Sequence, residues 1–328
     1  MKAELKSRTK LLSAAAAAIV FLFVQQAVSQ TEEITVIRKE LQSEVQAGRY
    51  EQAVKVSERL IAKLEATYPE PNEQHVAAYT NHGMIQQSMG QHASSITTLR
   101  KAMELASVVP SVKIERRLEI MRLLASGYDR SGDSKSARDA YLKAVDFADK
   151  HGLGKSAEAF QAIVGIANAF ARENNFDEAH GYYLKALRLS FSLFEIGSEG
   201  RNRLSISRLC LVPKNSRNRR LLEEYDALAK ELSENENKEK NVVHGKAISL
   251  GRPSYPSAAL NDRRTGTVYV SVSVDEKGNV KDAVAVCSPR PFWKVSEDAA
   301  LRSKFEPTTV NGIPIPVKGV LTFNFLVQ

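Results

Sequence analysis

The chain has 328 residues, 43% hydrophobic and 26% charged, with a formal net charge of +8. That length suits two domains, and the balance is that of an ordinary water-facing protein. Lys2, Lys6, Arg8 and Lys10 against Glu4 carry +3 of the charge, which leaves +5 for residues 30–328. So mild an excess, with no arginine-rich helix interleaved with stacking aromatics, speaks against a nucleic-acid partner.

Residues 1–29 have the layout of a secretory signal. A basic start leads into the apolar run Leu11–Val24, and Ala27-Val28-Ser29 puts small residues where a signal peptidase reads the chain. As a helix that run rises about 21 Å, short of the ~30 Å hydrocarbon core. Cleavage after Ser29 is the expectation. The alternative is an uncleaved anchor, because extending the segment to Val28 makes a marginal span. No cysteine lies near the cleavage site, so lipid attachment is not indicated.

Residues 30–232 gain a pattern when they are laid at a fixed offset. Gly48, Gly90, Gly132 and Asn174 stand 42 residues apart. Five positions after each comes a small residue, at Ala53, Ser95, Ala137 and Ala179, and seven further on lie Leu60, Ala102, Ala144 and Ala186. Tyr141, Tyr183 and Tyr225 share the offset, with Leu99 in their place in the second copy. The physical reading is a helical hairpin used four times. The Gly or Asn ends the first helix in left-handed geometry, and the small residue lets the second helix press close. One hairpin cannot bury its own apolar face, so the copies stack.

This array resembles the tetratricopeptide family, in a 42-residue form. Ala125 and Ala167, Tyr128 and Phe170, and Ala137 and Ala179 occupy that family's small and aromatic positions. A fifth, degenerate copy keeps Leu209, Tyr225 and Leu228 in register but is interrupted by Pro213 and by Arg217-Asn218-Arg219-Arg220, and is expected to cap the stack with a wet outer face. The resemblance implies a concave groove lined by the first helix of each pair. At its offsets lie Thr80, Met84, Gln87, Arg122, Ser126, Asp129, Arg130, Asn168 and Arg172. The three arginines offer forked hydrogen bonds to a carboxylate-bearing partner; the alternative is a solvated helix face. Ser233 to Lys240, charged and without apolar residues, reads with the next four positions as a linker, 233–244.

The last part, residues 245–328, reads as strand, tight turn, strand, helix, strand. Val268, Val270, Val272 and Val274 alternate with Tyr269, Ser271 and Ser273, which gives one apolar and one wet face. Asp275 to Asn279 forms the turn, where Gly278 supplies positive φ. Val280 to Cys287 returns as the second strand. Phe292 to Lys304 has helical spacing, and Ile313 to Val327 carries Leu321, Phe323, Phe325 and Val327 on one side. The fold class is therefore multidomain: an all-α tetratricopeptide-like solenoid, then a small α+β domain with a three-stranded antiparallel sheet and helices.

The lead-in RPSYP (Arg252–Pro256), GTVYVSVSVDEKGNV, EDAALRSKFEPTTVNGIPI and the closing VLTFNF resemble the C-terminal domain of the TonB family, with every element in order. The resemblance implies a periplasmic location and a domain that binds a short extended peptide of an outer-membrane transporter. It points to Arg252, Pro253, Tyr255 and Pro256 in the lead-in, and to the last strand, with Val320, Thr322 and Asn324, as the edge a partner would extend. Alternatively, Tyr255 packs its ring on the sheet while the two prolines fix how the chain reaches it.

The two cysteines, Cys210 and Cys287, could pair in an exported protein. Their places in different expected domains and apolar settings favour two free thiols. No nucleophile elbow, Walker loop or metal-ligand spacing occurs, so neither catalysis, a metal nor a cofactor is expected. The sequence thus points to a periplasmic interaction scaffold that binds a protein or peptide segment of an envelope partner, such as an outer-membrane receptor. An energy transducer is the alternative, in contact with the membrane only if the N-terminal helix is kept. A proline-rich tether, which a transducer of this family needs, is missing, and the repeats stand in its place. Self-association through the uncovered edge is the third possibility.

Overall fold

The computed structural model describes residues 31–287 and 289–327. The expected signal segment and its cleavage site lie outside the described residues. Helix α1 occupies residues 31–46, followed by α2 (Tyr50–Thr67), α3 (Glu73–Ser88), α4 (His92–Val108) and α5 (Ile114–Arg130). Next come α6 (Ser134–Lys150), α7 (Ala157–Arg172), α8 (Phe176–Leu193), α9 (Glu199–Leu211) and α10 (Arg219–Lys240). The C-terminal part begins with β1 (Val242–Val243), β2 (Ala247–Ser249), α11 (Ser257–Asn261), β3 (Gly266–Val274) and β4 (Val280–Ala285). A 3-10 turn at Arg290–Phe292 leads into α12 (Trp293–Leu301), then β5 (Lys304–Phe305), β6 (Thr308–Val310), β7 (Ile313–Ile315) and β8 (Val317–Phe325).

The 42-residue offset is a chain-reversal device. Gly48, Gly90, Gly132 and Asn174 all adopt positive φ, between 59° and 87°. In each case the next residue donates back across the reversal, as Arg49 N to Glu44 O at 2.9 Å and Asn175 N to Phe170 O at 2.9 Å, which satisfies carbonyls the helix end leaves open. The small positions Ala53, Ser95, Ala137 and Ala179 are each 0% exposed, and Ser95 turns its hydroxyl inward to the Gly83 carbonyl at 2.8 Å. A β-carbon on Gly83 would stand 2.7 Å from Leu99, so the bulky residue at that offset seats where the facing helix has no side chain.

The chain divides into two compact units, one ending at Asp133 and the other starting at Ser134. In the first, Ile34, Ile37, Leu41, Val56, Leu60 and Leu64 make a core under α1, α2 and α3, and Val76, Leu105, Val109 and Ile120 make another. The second unit holds the later helices and the C-terminal strands together, so the division does not fall at the expected linker. That stretch is instead helical up to Lys240. Its Glu236 is 9% exposed and takes both terminal nitrogens of Arg201 in α9, at 2.6 and 2.8 Å. A run of charges reads as solvated when its partner lies 35 residues away and is not in view.

The three-stranded antiparallel sheet is present, in the order β4-β3-β8. The final apolar stretch is two strands: β7 hairpins with β6, and Pro316 separates it from β8. Two further small pairings, β1-β6-β7 and β2-β5, tie the start of the domain to its end. Val268, Val270, Val272, Phe292, Ala300 and Phe325 close a core beneath α12. The face expected to be wet is covered. Tyr269 is 7% exposed with Lys214 above its ring, and Asn202 of α9 donates to Ser271 Oγ at 2.9 Å. The degenerate fifth pair thus carries the sheet on α9, where an exposed outer face was expected.

Candidate functional site: an open sheet edge and a helical cleft

Strand β8 pairs with β3 along its whole length, from Val317 opposite Val274 to Phe325 opposite Gly266. Among the described residues it is the terminal strand of its sheet. The direction of its amides follows from one bond: Lys318 N donates outward to Gly197 O at 2.7 Å. In an antiparallel ladder this orientation alternates. The amides of Val320, Thr322 and Asn324 therefore also face away from β3, while Gly319, Leu321 and Phe323 face toward it. Thr322 and Asn324 are exposed and Val320 is half-buried. Thr267 Oγ1 donates to Asn324 Oδ1 at 2.9 Å, so that side chain serves the sheet while its amide stays outward.

The lead-in residues lie against the domain's own core to different extents. The Tyr255 ring meets Phe292 and Phe325 edge-on, with centroids 5.6 and 5.5 Å away, and those two rings stack at 4.3 Å. Its hydroxyl donates to the Arg264 carbonyl. Tyr255 thus packs on the sheet, with Pro253 and Pro256 half-buried beside it in sequence and Arg252 exposed, its carbonyl accepting from Arg302 at 3.3 Å.

One end of the edge is covered by the chain itself. Gly197, at φ 68°, lies so close to β8 that a β-carbon there would stand 2.6 Å from Val317. Glu199 accepts from the Lys318 ammonium and from Arg203, and these bonds hold its carboxyl below the ordinary range against the opposing effect of burial. The two cysteines, expected as free thiols, form a disulfide, with Cα atoms 5.5 Å apart and 77 residues between them. They meet because α9 packs on the sheet, an arrangement invisible while the two lay in separate expected domains. Closing a loop of that length contributes about 4–5 kcal/mol in the chain-entropy view.

In the first unit, α1 and α3 flank an apolar cleft of about 520 Å³ lined by Leu41, Val45, Ala77, Met84 and Ile85, with Arg38, Gln42, Gln46, Gln74 and Asn81 among its polar groups. Of the groove residues expected from the repeat offsets, only Met84 lines it, 40% exposed. Thr80 is fully buried, its hydroxyl on the Val76 carbonyl at 2.7 Å, and Gln87 is buried, donating to Leu123 O at 2.8 Å. The stripe of α3 that lines the cleft is Gln74 and Ala77, both half-buried, with the exposed Asn81 and Met84, so the expected phase is off by a residue for Thr80. Arg122 and Asp129 are half-buried and already engaged, Ser126 is half-buried and Arg130 exposed. In the second unit Asn168 accepts from Tyr183 OH at 2.8 Å, a packing role, and Arg172 is exposed but engaged. The offsets gave no sight of α1's side of the cleft.

These features define a class: a helical-repeat protein carrying a small α+β domain with a partly open sheet edge. Residues 251–327 match the Gram-negative bacterial TonB protein C-terminal family, and residues 74–150 match the tetratricopeptide repeat family. The chain thus has a TonB C-terminal domain preceded by tetratricopeptide repeats. This combination implies protein–protein interaction, and such C-terminal domains are periplasmic in Gram-negative bacteria. No curated protein matches the sequence. Among solved structures, the apo form of RapI superposes with a TM-score of 0.52 at 11% identity, over 64% of this chain and 73% of its own, which shows the helical fold. Two structures of kinesin light chain TPR-like repeats of Podosopora anserina, both 14% identical and covered over 97% of their own length, give TM-scores of 0.48 over 64% of this chain and 0.47 over 63%.

Proposed function

We propose that this chain is a non-catalytic periplasmic scaffold whose TonB-like domain captures an extended peptide of an envelope partner by adding a strand to β8. The observation that carries the reading is the alternation set by Lys318: three successive outward amides, at Val320, Thr322 and Asn324, on a strand with no neighbour beyond it among the described residues. A partner strand gains main-chain hydrogen bonds there, and alternate side chains supply selectivity. The disulfide supports export, since cystines persist in oxidising compartments. The cleft between α1 and α3 supplies a second surface for a protein segment.

The test is capture of an envelope partner by the full chain and by Thr322→Pro. Proline removes one outward donor and leaves the β3 ladder in place. Loss of capture with unchanged circular dichroism supports strand addition. Undiminished capture by the folded variant rejects it.

A further inference from the structure

We infer that the Cys210–Cys287 disulfide is a redox latch that keeps α9 seated on the sheet and thereby shortens the edge that β8 offers. This rests on the strand-addition reading for its consequence, but not for its geometry.

The junction between α9 and the sheet combines packing, with Tyr269 7% exposed beneath the Lys214 ammonium, a few polar bonds and the cystine. The core of the C-terminal domain, from Ala259 and Val268 to Phe292 and Phe325, is assembled wholly from the domain's own residues. The hydrogen bonds that join α9 and the turn before it to the sheet are Asn202 to Ser271, Lys318 to Glu199, and the Lys318 amide to the Gly197 carbonyl. Single bonds of this kind, partly open to water, each shift an equilibrium by about tenfold or less. The cross-link between Cys210 in α9 and Cys287 after β4 is covalent, so it holds the two together while such bonds break and re-form. The cystine is therefore the covalent tie across the junction. Both half-cystines are partly exposed, so a reductant reaches them.

The chemistry is ordinary exchange. A thiolate of a dithiol reductant attacks one sulfur of the cystine and displaces the other as a thiolate, and the reductant's second thiol then resolves the mixed disulfide. Two electrons and two protons pass to the protein, which leaves Cys210 and Cys287 as thiols and the reductant as a cyclic disulfide. The sheet remains joined to the helices through α10 and Asn241, which sits in left-handed geometry at φ 47°. Released from α9, β8 loses its internal partner at Lys318. Its outward row then grows from three amides to four, and the face bearing Tyr269 and Ser271 is uncovered.

Amide hydrogen exchange on the full chain, without any partner, tests this directly. It is read residue by residue in the oxidised protein, in protein reduced with dithiothreitol and alkylated, and in Cys210→Ser. The expected result is that Lys318 exchanges at least ~tenfold faster in the reduced protein and in the variant, while the inward amides of Leu321 and Phe323 and those of α12 stay protected. Unchanged exchange at Lys318 overturns the latch, because the polar contacts alone would then hold α9. Acceleration through Leu321, Phe323 and α12 also overturns it, because the cystine would then be a staple for the whole domain. Capture by the reduced, alkylated chain is scored separately. If Thr322→Pro captures the partner fully while Lys318 is released on reduction, strand addition fails and the latch stands.

Discussion

The Lys318 amide lies 2.7 Å from the Gly197 carbonyl, so the first outward position of an edge strand is satisfied from within the same chain. Exposed edges invite unwanted pairing, and covering part of one is a common protection. Here the cover comes from the turn between α8 and α9, and it fits only because Gly197 has no side chain. Gly197→Ala would place a β-carbon 2.6 Å from Val317 while holding a non-glycine residue at φ 68°. The expected loss is roughly 1–3 kcal/mol. Thermal unfolding of the oxidised protein measures it, and a melting temperature equal to that of the parent chain would show that the turn does not bear on β8.

The alternation along β8 predicts opposite fates for neighbouring prolines. Thr322→Pro removes an amide that faces away from β3, so the fold should survive with a melting temperature within a few degrees of the parent. Leu321→Pro removes a ladder donor and forces the ring against β3, which should cost about 3 kcal/mol or more and unfold the C-terminal domain. Circular dichroism and chemical denaturation of both variants decide the phase; equal damage by the two would refute it.

Glu236 should make the second unit acid-sensitive. Burial by itself would raise its pKa, but the bonds from Arg201 and Lys240 outweigh burial and hold it below 4.5. A carboxyl lowered in the folded state takes up its proton more readily in the unfolded chain. Its stabilisation is therefore complete above the ordinary carboxylate range and is lost as pH falls through the lowered folded value. At pH 7, Glu236→Gln leaves Arg201 with a neutral partner and should cost roughly 2–4 kcal/mol. Melts from pH 7 down to pH 3 should show a shallower decline for the variant than for the parent.

Local rules made much of this fold legible. The left-handed residues at 48, 90, 132 and 174, the buried small residues after them and the alternating valines of β3 each record a constraint satisfied within a few positions. What the sequence hid depends on distant partners. Glu236 looks solvated until Arg201 is placed beside it, and Cys210 looks lone until α9 lies on the sheet. Tyr255 could equally bind a guest or pack at home, and only the rings of Phe292 and Phe325 decide for packing. Thr80 and Gln87 fell on a buried stripe because an offset fixes which residues are equivalent, but not which of two adjacent stripes faces outward.

That correction predicts how α3 variants divide. Gln87→Ala deletes a buried donor to the Leu123 carbonyl and should lower stability by about 1–3 kcal/mol. Met84→Glu places a charge at a 40% exposed position lining the cleft and should leave stability within about 0.5 kcal/mol. Urea unfolding of the two variants tests the division, which a stability loss from Met84→Glu as large as that from Gln87→Ala would reverse.

The fourth chain reversal is the one place in the series where a side chain occupies the left-handed position. Asn174 sits at φ 59°, where Gly48, Gly90 and Gly132 stand at 70°, 74° and 87°. Asparagine tolerates this geometry better than most residues, yet its β-carbon still crowds the following carbonyl, which glycine avoids. Asn174 is exposed, so its side chain is not part of a core that a substitution would empty. Asn174→Gly should therefore raise stability by about 0.5–1 kcal/mol, the gain in the folded turn exceeding the extra freedom of glycine in the unfolded chain. A decrease in the denaturation midpoint would mean that the asparagine side chain contributes a bond that outweighs the backbone preference.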